Sequence, residues 1–62
     1  MKRTKLLKHL HEQRCVFIRE GGSHSWWGNP TQNRHSSIPR HTEISDQLAR
    51  KICKDLGIPF TQ

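Results

Sequence analysis

The stretch Gly21-Gly22-Ser23-His24-Ser25-Trp26-Trp27 holds the residue types whose spacing can do chemistry. Two adjacent glycines let the backbone turn through conformations closed to other residues, and they let a ligand come close to the main chain. A histidine follows two positions later. Histidine is the side chain most readily set to accept and donate protons near neutral pH, so His24, fixed at the mouth of a tight turn, is a general acid/base candidate. The same glycines can turn backbone N–H groups toward a phosphate. A plainer account is also open: a Gly-Gly hairpin turn with a surface histidine beside it.

Composition limits what such a site can serve. The 62 residues make one domain, 1–62, of marginal size for a single core. Lys and Arg number 11 against 5 Asp and Glu, a formal net charge of +6, which favours a polyanionic partner such as nucleic acid. No apolar run approaches the roughly 20 residues of a membrane span. Leu6, Leu7 and Leu10 are too few to hold the basic N-terminal segment in a bilayer, so a soluble, cytoplasmic protein with no membrane partner is expected. Cys15 and Cys53 stand alone and read as small apolar side chains rather than a disulfide framework. The five histidines, His9, His11, His24, His35 and His41, raise the question of zinc. Without a Cys-x-x-Cys or a His-x3-His pair the spacing predicts no metal site, and no cofactor is expected.

The elements that must position His24 follow from periodicity. Leu6, Leu7 and Leu10 at helical spacing, with Lys2, Arg3, Lys5, Lys8 and Glu12 around them, predict helix one over 3–12. Its lysines suit either a solvated face or contact with phosphates. Cys15-Val16-Phe17-Ile18-Arg19-Glu20 is rich in β-branched and aromatic residues and reads as strand one. Being short and largely apolar, it is expected at the centre of a small sheet. Strand two runs over 24–28, with His24, Trp26 and Gly28 on one face and Ser25 and Trp27 on the other. One tryptophan therefore packs under the helices and the other is exposed, where it can stack on an unpaired base; parity does not say which. Asn29 to Arg34 has the composition of a mobile hairpin loop, and His35 to Ile38 is strand three, ended by Pro39.

Leu48, Ile52 and Leu56, widened by Ala49 and Cys53, predict helix two over 46–56. Ser45 is its N-cap, Asp46 suits the helix dipole in the first turn, and Gly57 closes it with Ile58 reaching back to Cys53. Pro59 blocks continuation. The order is helix, three strands, helix: an α+β meander sheet with two helices on one face and the other face open.

Taken together, the Lys2-Arg3 opening with Leu6, Leu7 and Leu10, then Phe17-Ile18-Arg19 leading to Gly22-Ser23-His24, then Ile38-Pro39-Arg40-His41, and finally Ile52 with Leu56-Gly57-Ile58, make a chain that resembles HicA-type toxins. These are the small RNA-cleaving partners in bacterial toxin-antitoxin pairs. The resemblance covers nearly the whole chain and implies a double-stranded-RNA-binding-domain-like fold. It further implies metal-independent endoribonuclease activity on messenger RNA and a HicB-type antitoxin that masks the toxin. By the same resemblance His24 is the catalytic residue, with Gly22 and Ser23 supporting its turn. Two departures stand out. Family members commonly place glycine in the turn before strand one, where this chain has Gln13-Arg14, and helix two opens with Ile44-Ser45-Asp46 in place of Gly-Thr.

RNA supplies its own nucleophile in the 2′-hydroxyl, so a cleaving enzyme chiefly needs proton transfer and charge stabilisation at one phosphate. His24 suits the first task. Lys2, Arg3, Lys5, Arg19 and Arg40 are the cations expected to contact RNA, and His41 is a candidate for RNA contact and for the second proton carrier. Two other classes compete: a non-catalytic RNA-binding module of the same fold, and a protein-interaction domain whose charge serves an acidic partner.

Overall fold

Both apolar stripes fold as helices against one face of a sheet. The computed structural model describes residues 1–60, in the order α1 (Arg3–Glu12), β1 (Val16–Gly21), β2 (His24–Asn29), β3 (Arg34–Pro39) and α2 (Asp46–Leu56). The strands form an antiparallel meander in the order β1-β2-β3. This is the α+β, double-stranded-RNA-binding-domain-like architecture expected. Leu6 and Leu10 of α1, Ile38 of β3, and Ile52 and Leu56 of α2 are sealed from solvent and share one core with Ile44. Cys15 and Cys53 sit in the same core as free thiols, and burial pushes both thiol pKa values up.

Each helix ends in a Schellman motif. At the end of α2, Gly57 is left-handed with φ 70°, its N–H reaching Lys54 O at 3.1 Å and the Ile58 N–H reaching Cys53 O at 3.0 Å. At the end of α1, Arg14 takes that same left-handed position with φ 68°, its N–H on His11 O at 3.0 Å and the Cys15 N–H on Leu10 O at 2.9 Å. The turn geometry is thus kept although the glycine is absent. Ser45 caps α2 as expected, its Oγ accepting from the Leu48 N–H at 3.2 Å.

Two expectations need correction. β1 is an edge strand rather than the central one, and Val16, Phe17 and Ile18 are 50, 50 and 51% exposed. A three-strand meander puts its second strand in the middle, and an apolar run on an edge leaves half its side chains on the open face. A bulge between Phe17 and Arg19 further re-aims this strand. The β2–β3 loop, expected to be mobile, is tied down. Asn29 Nδ2 donates to Leu56 O at 2.7 Å, Gln32 Nε2 to Gly57 O at 2.9 Å and Arg34 Nη1 to Lys54 O at 3.0 Å, so the loop and the two strand residues that flank it supply side-chain donors to the carbonyls at the end of α2.

The tryptophans are now told apart. Trp27 packs against the helix-side core, with Phe17 edge-on at 6.1 Å between ring centroids, while Trp26 lies on the open face. Gly28, also on that face, is covered by Ile18, whose Cδ1 would stand 2.9 Å from any Cβ placed there.

Candidate active site

His24 is placed by the hairpin between β1 and β2. Gly21 pairs with His24, so Gly22 and Ser23 alone form the loop. Gly22 has φ 60° and Ser23 does not have a positive φ, the pattern of a type II′ turn, in which glycine serves the first central position. The turn delivers His24 to the head of the central strand, exposed and paired on its other side with Pro39. Its Nδ1 lies 3.2 Å from Ser23 Oγ. When Nε2 carries the ring proton the hydroxyl donates to Nδ1, and in the other tautomer Nδ1–H donates to the hydroxyl. Either way Nε2 makes no hydrogen bond among the described residues and remains available.

A relay of polar side chains fixes this end of the sheet. Arg3 donates from Nε to Pro39 O and from Nη2 to the buried Ser25 Oγ, both at 2.9 Å. Ser25 donates in turn to the Glu20 carboxylate at 3.0 Å, and Glu20 holds Arg40 Nη2 at 2.6 Å. The Arg40 backbone N–H closes the circuit on Ser23 O at 3.3 Å. Glu20 and Arg40 are half exposed, so their pairing adds little stability, but it fixes where the guanidinium lies. Nearby, Lys2 Nζ meets Glu43 at 2.9 Å, and that hydrogen bond is the first cause holding the Glu43 carboxyl below its ordinary pKa.

The residues singled out from sequence therefore divide. Gly22, Ser23, His24, Arg40 and His41 gather at the turn end of the sheet, and Lys2 and Arg3 join them through Glu43 and Pro39. Arg19 lies on the open face, its Cζ 5.6 Å from the Trp26 ring centroid. Lys5 is exposed on α1 and makes no ion pair among the described residues. A groove of 590 Å³ runs from His24 past β3 to α2, and His24, Trp26, His35 and His41 line it together with Lys51 and Asp55. Among the described residues no three His, Cys, Asp or Glu side chains come together as a metal site would require.

Sequence reasoning did not single out Glu20, His35 or Lys51. The Glu20 to Arg40 pair and the meeting of β3 with α2 are non-local, and nothing in residue spacing announces them. Trp26 did carry a signal, since it shares strand parity with His24.

Set beside known families, this basic α-β-β-β-α domain, with an exposed histidine behind a glycine turn at the head of its central strand, falls among small toxins of bacterial toxin-antitoxin pairs. The model of the family described as HicA toxin of bacterial toxin-antitoxin matches residues 3–58, from the first residue of α1 to the Schellman motif that ends α2. The chain belongs to that family, and its role is the toxin's, which implies an antitoxin partner. No curated protein and no solved structure matches the chain. No helix of the described residues is long and apolar enough to cross a membrane.

Proposed function

We propose that this toxin is an endoribonuclease that cleaves messenger RNA in the cytoplasm, with His24 carrying a proton of the reaction, and that its antitoxin is of the HicB type. The observation that supports this best is the state of His24: exposed, tethered through Nδ1 to Ser23, with Nε2 making no hydrogen bond among the described residues, on the wall of a groove. In the reaction the 2′-hydroxyl loses its proton and its oxygen bonds to the adjacent phosphorus. The bond from phosphorus to the 5′-oxygen breaks, and that oxygen takes up a proton. The products are a 2′,3′-cyclic phosphate and a 5′-hydroxyl. His24 performs one of the two proton transfers, and His41, on the same groove, is the candidate for the other. Arg40, next to the strand partner of His24, offsets charge that builds on the phosphate, and Arg19, Lys2, Arg3 and Lys5 add to the attraction for RNA. The 2′-hydroxyl and side-chain proton carriers suffice for this chemistry without a metal-bound water. The antitoxin face that covers His24 is acidic by complementarity.

The test is end-group analysis of RNA incubated with the purified chain in excess chelator. Cyclic-phosphate and 5′-hydroxyl ends are expected, with no cleavage of an all-2′-O-methyl copy. Cleavage of that copy, or cleavage only on adding a divalent metal, would overturn the mechanism. Binding without any cleavage would favour the non-catalytic RNA-binding module.

A further inference from the structure

We propose that the open face of the sheet beside His24 is a nucleobase-stacking subsite, built on Trp26 with Arg19 and His35 against it, that takes one unpaired base of single-stranded RNA. Its meaning for turnover rests on the nuclease proposal; its existence as a binding site does not.

Trp26 and His24 are two residues apart on one strand and on the same face, a step of about 6.8 Å along β2 and of the scale of one nucleotide. The Arg19 guanidinium lies 5.6 Å from the indole centroid and the His35 ring 5.9 Å from it, tilted by 54°. Arg19 and His35 are exposed and Trp26 is half-buried, so all three are within reach of a ligand. Trp27, by contrast, does the ordinary structural work of an indole against the helix-side core.

Gly21 leaves room for the arrangement. A Cβ there would stand 3.1 Å from Trp26 Nε1 and 3.0 Å from Arg19 Nη1, so the missing side chain lets both groups lie against the end of β1. Ile18, Arg19, Trp26 and His35 enclose a shallow hollow of 310 Å³. Trp26 and His35 also line the groove that holds His24 and His41, so the hollow and the groove share a wall.

The occupant follows from the chemistry of that wall. An indole flanked by a guanidinium and an imidazole offers a π-face and positive charge together, which suits a base carried on a phosphate backbone. The formal charge of +6 favours the same ligand. Bases in a duplex are stacked on one another and present only their edges, so the ligand is single-stranded.

The experiment compares binding of a short 2′-O-methyl oligonucleotide, which cannot be cleaved, with binding of an abasic strand of equal length. Wild-type protein should prefer the base-bearing strand by about 5- to 150-fold, the range that one base on an aromatic ring supplies. Trp26→Ala should erase that preference while leaving the salt dependence in place, and Trp26→Phe should keep most of it. In Trp27→Phe protein, where Trp26 is the sole tryptophan, its emission should be quenched by the base-bearing strand and not by the abasic one. This readout decides the matter even where Trp26→Ala does not fold. Equal binding of both strands, a preference that survives in folded Trp26→Ala, or a duplex of the same length that competes as well as the single strand would each overturn the subsite. Folded Trp26→Ala that binds RNA normally but loses its antitoxin would assign this face to protein instead. Cleavage is scored on the same wild-type sample. No cleavage with the base preference intact sinks the nuclease proposal alone, and cleavage with no base preference sinks the subsite alone.

Discussion

Replacing Arg14 with glycine should stabilise the protein. Arg14 occupies the left-handed position of the Schellman motif that closes α1, with φ 68°, and the bonds from the Arg14 and Cys15 N–H groups require that conformation. A non-glycine residue there costs about 1–2 kcal/mol because Cβ crowds the carbonyl oxygen. Glycine removes this strain but is freer in the unfolded chain, which takes back about 0.5–1 kcal/mol. The Arg14 side chain is exposed and makes no hydrogen bond or ion pair among the described residues, so its loss removes nothing else. The net expectation for Arg14→Gly is a gain of about 0.5–1 kcal/mol. For a domain of this size that is a rise of about 2–8 °C in Tm. Thermal melts of wild type, Arg14→Gly and Arg14→Ala read it directly, with alanine giving no such rise because it keeps the Cβ. An Arg14→Gly protein that melts at or below wild type would refute the argument that strain at this turn is relieved by removing the side chain.

Asn29 is 3% exposed and carries the buried bond to Leu56 O. Asn29→Ala should cost about 1–3 kcal/mol in urea denaturation, because the carbonyl loses its donor, and Asn29→Asp should cost more by setting a carboxylate against it. RNA affinity, measured on His24→Ala protein so that the proposed cleavage does not interfere, should fall steeply between low and physiological salt. Each phosphate contact contributes about 0.7 to the logarithmic slope on single strands, and affinity that stays flat would remove the electrostatic case.

The local features of the fold were legible. α1 and α2 begin and end where leucine and isoleucine periodicity, Ser45 and Gly57 put them, because caps and stripes are written in neighbouring residues. The Gly22-Ser23 turn and the place of His24 just after it were legible for the same reason. What escaped was non-local. The apolar run Val16-Phe17-Ile18 looks like a buried strand, and only the strand order shows it at an edge. The β2–β3 loop looks mobile until the end of α2 is brought to it, and its donors then find carbonyls at Lys54, Leu56 and Gly57. Gln13-Arg14 lacks the glycine that signals a left-handed residue, yet the conformation is imposed by the packing of Leu10 and Cys15 into the core. At the site, parity placed Trp26 with His24, but the approach of His35 and the hold of Glu20 on Arg40 depend on strand register.

The central claim is that His24 acts on a proton and does not hold the fold, and one paired measurement tests it: a thermal melt and an RNA cleavage rate on the same His24→Ala sample. The ring is exposed and its one side-chain hydrogen bond among the described residues is with its neighbour Ser23, so the melt should stay close to wild type. Loss of an acid/base catalyst typically costs about 10² to 10⁴ in rate. That is roughly 3 to 5.5 kcal/mol of barrier at about 1.4 kcal/mol per tenfold. A folded mutant with its cleavage reduced by that factor is the predicted result. A folded mutant that cleaves RNA at nearly the wild-type rate, or one whose activity falls only in step with an earlier melt, would contradict it.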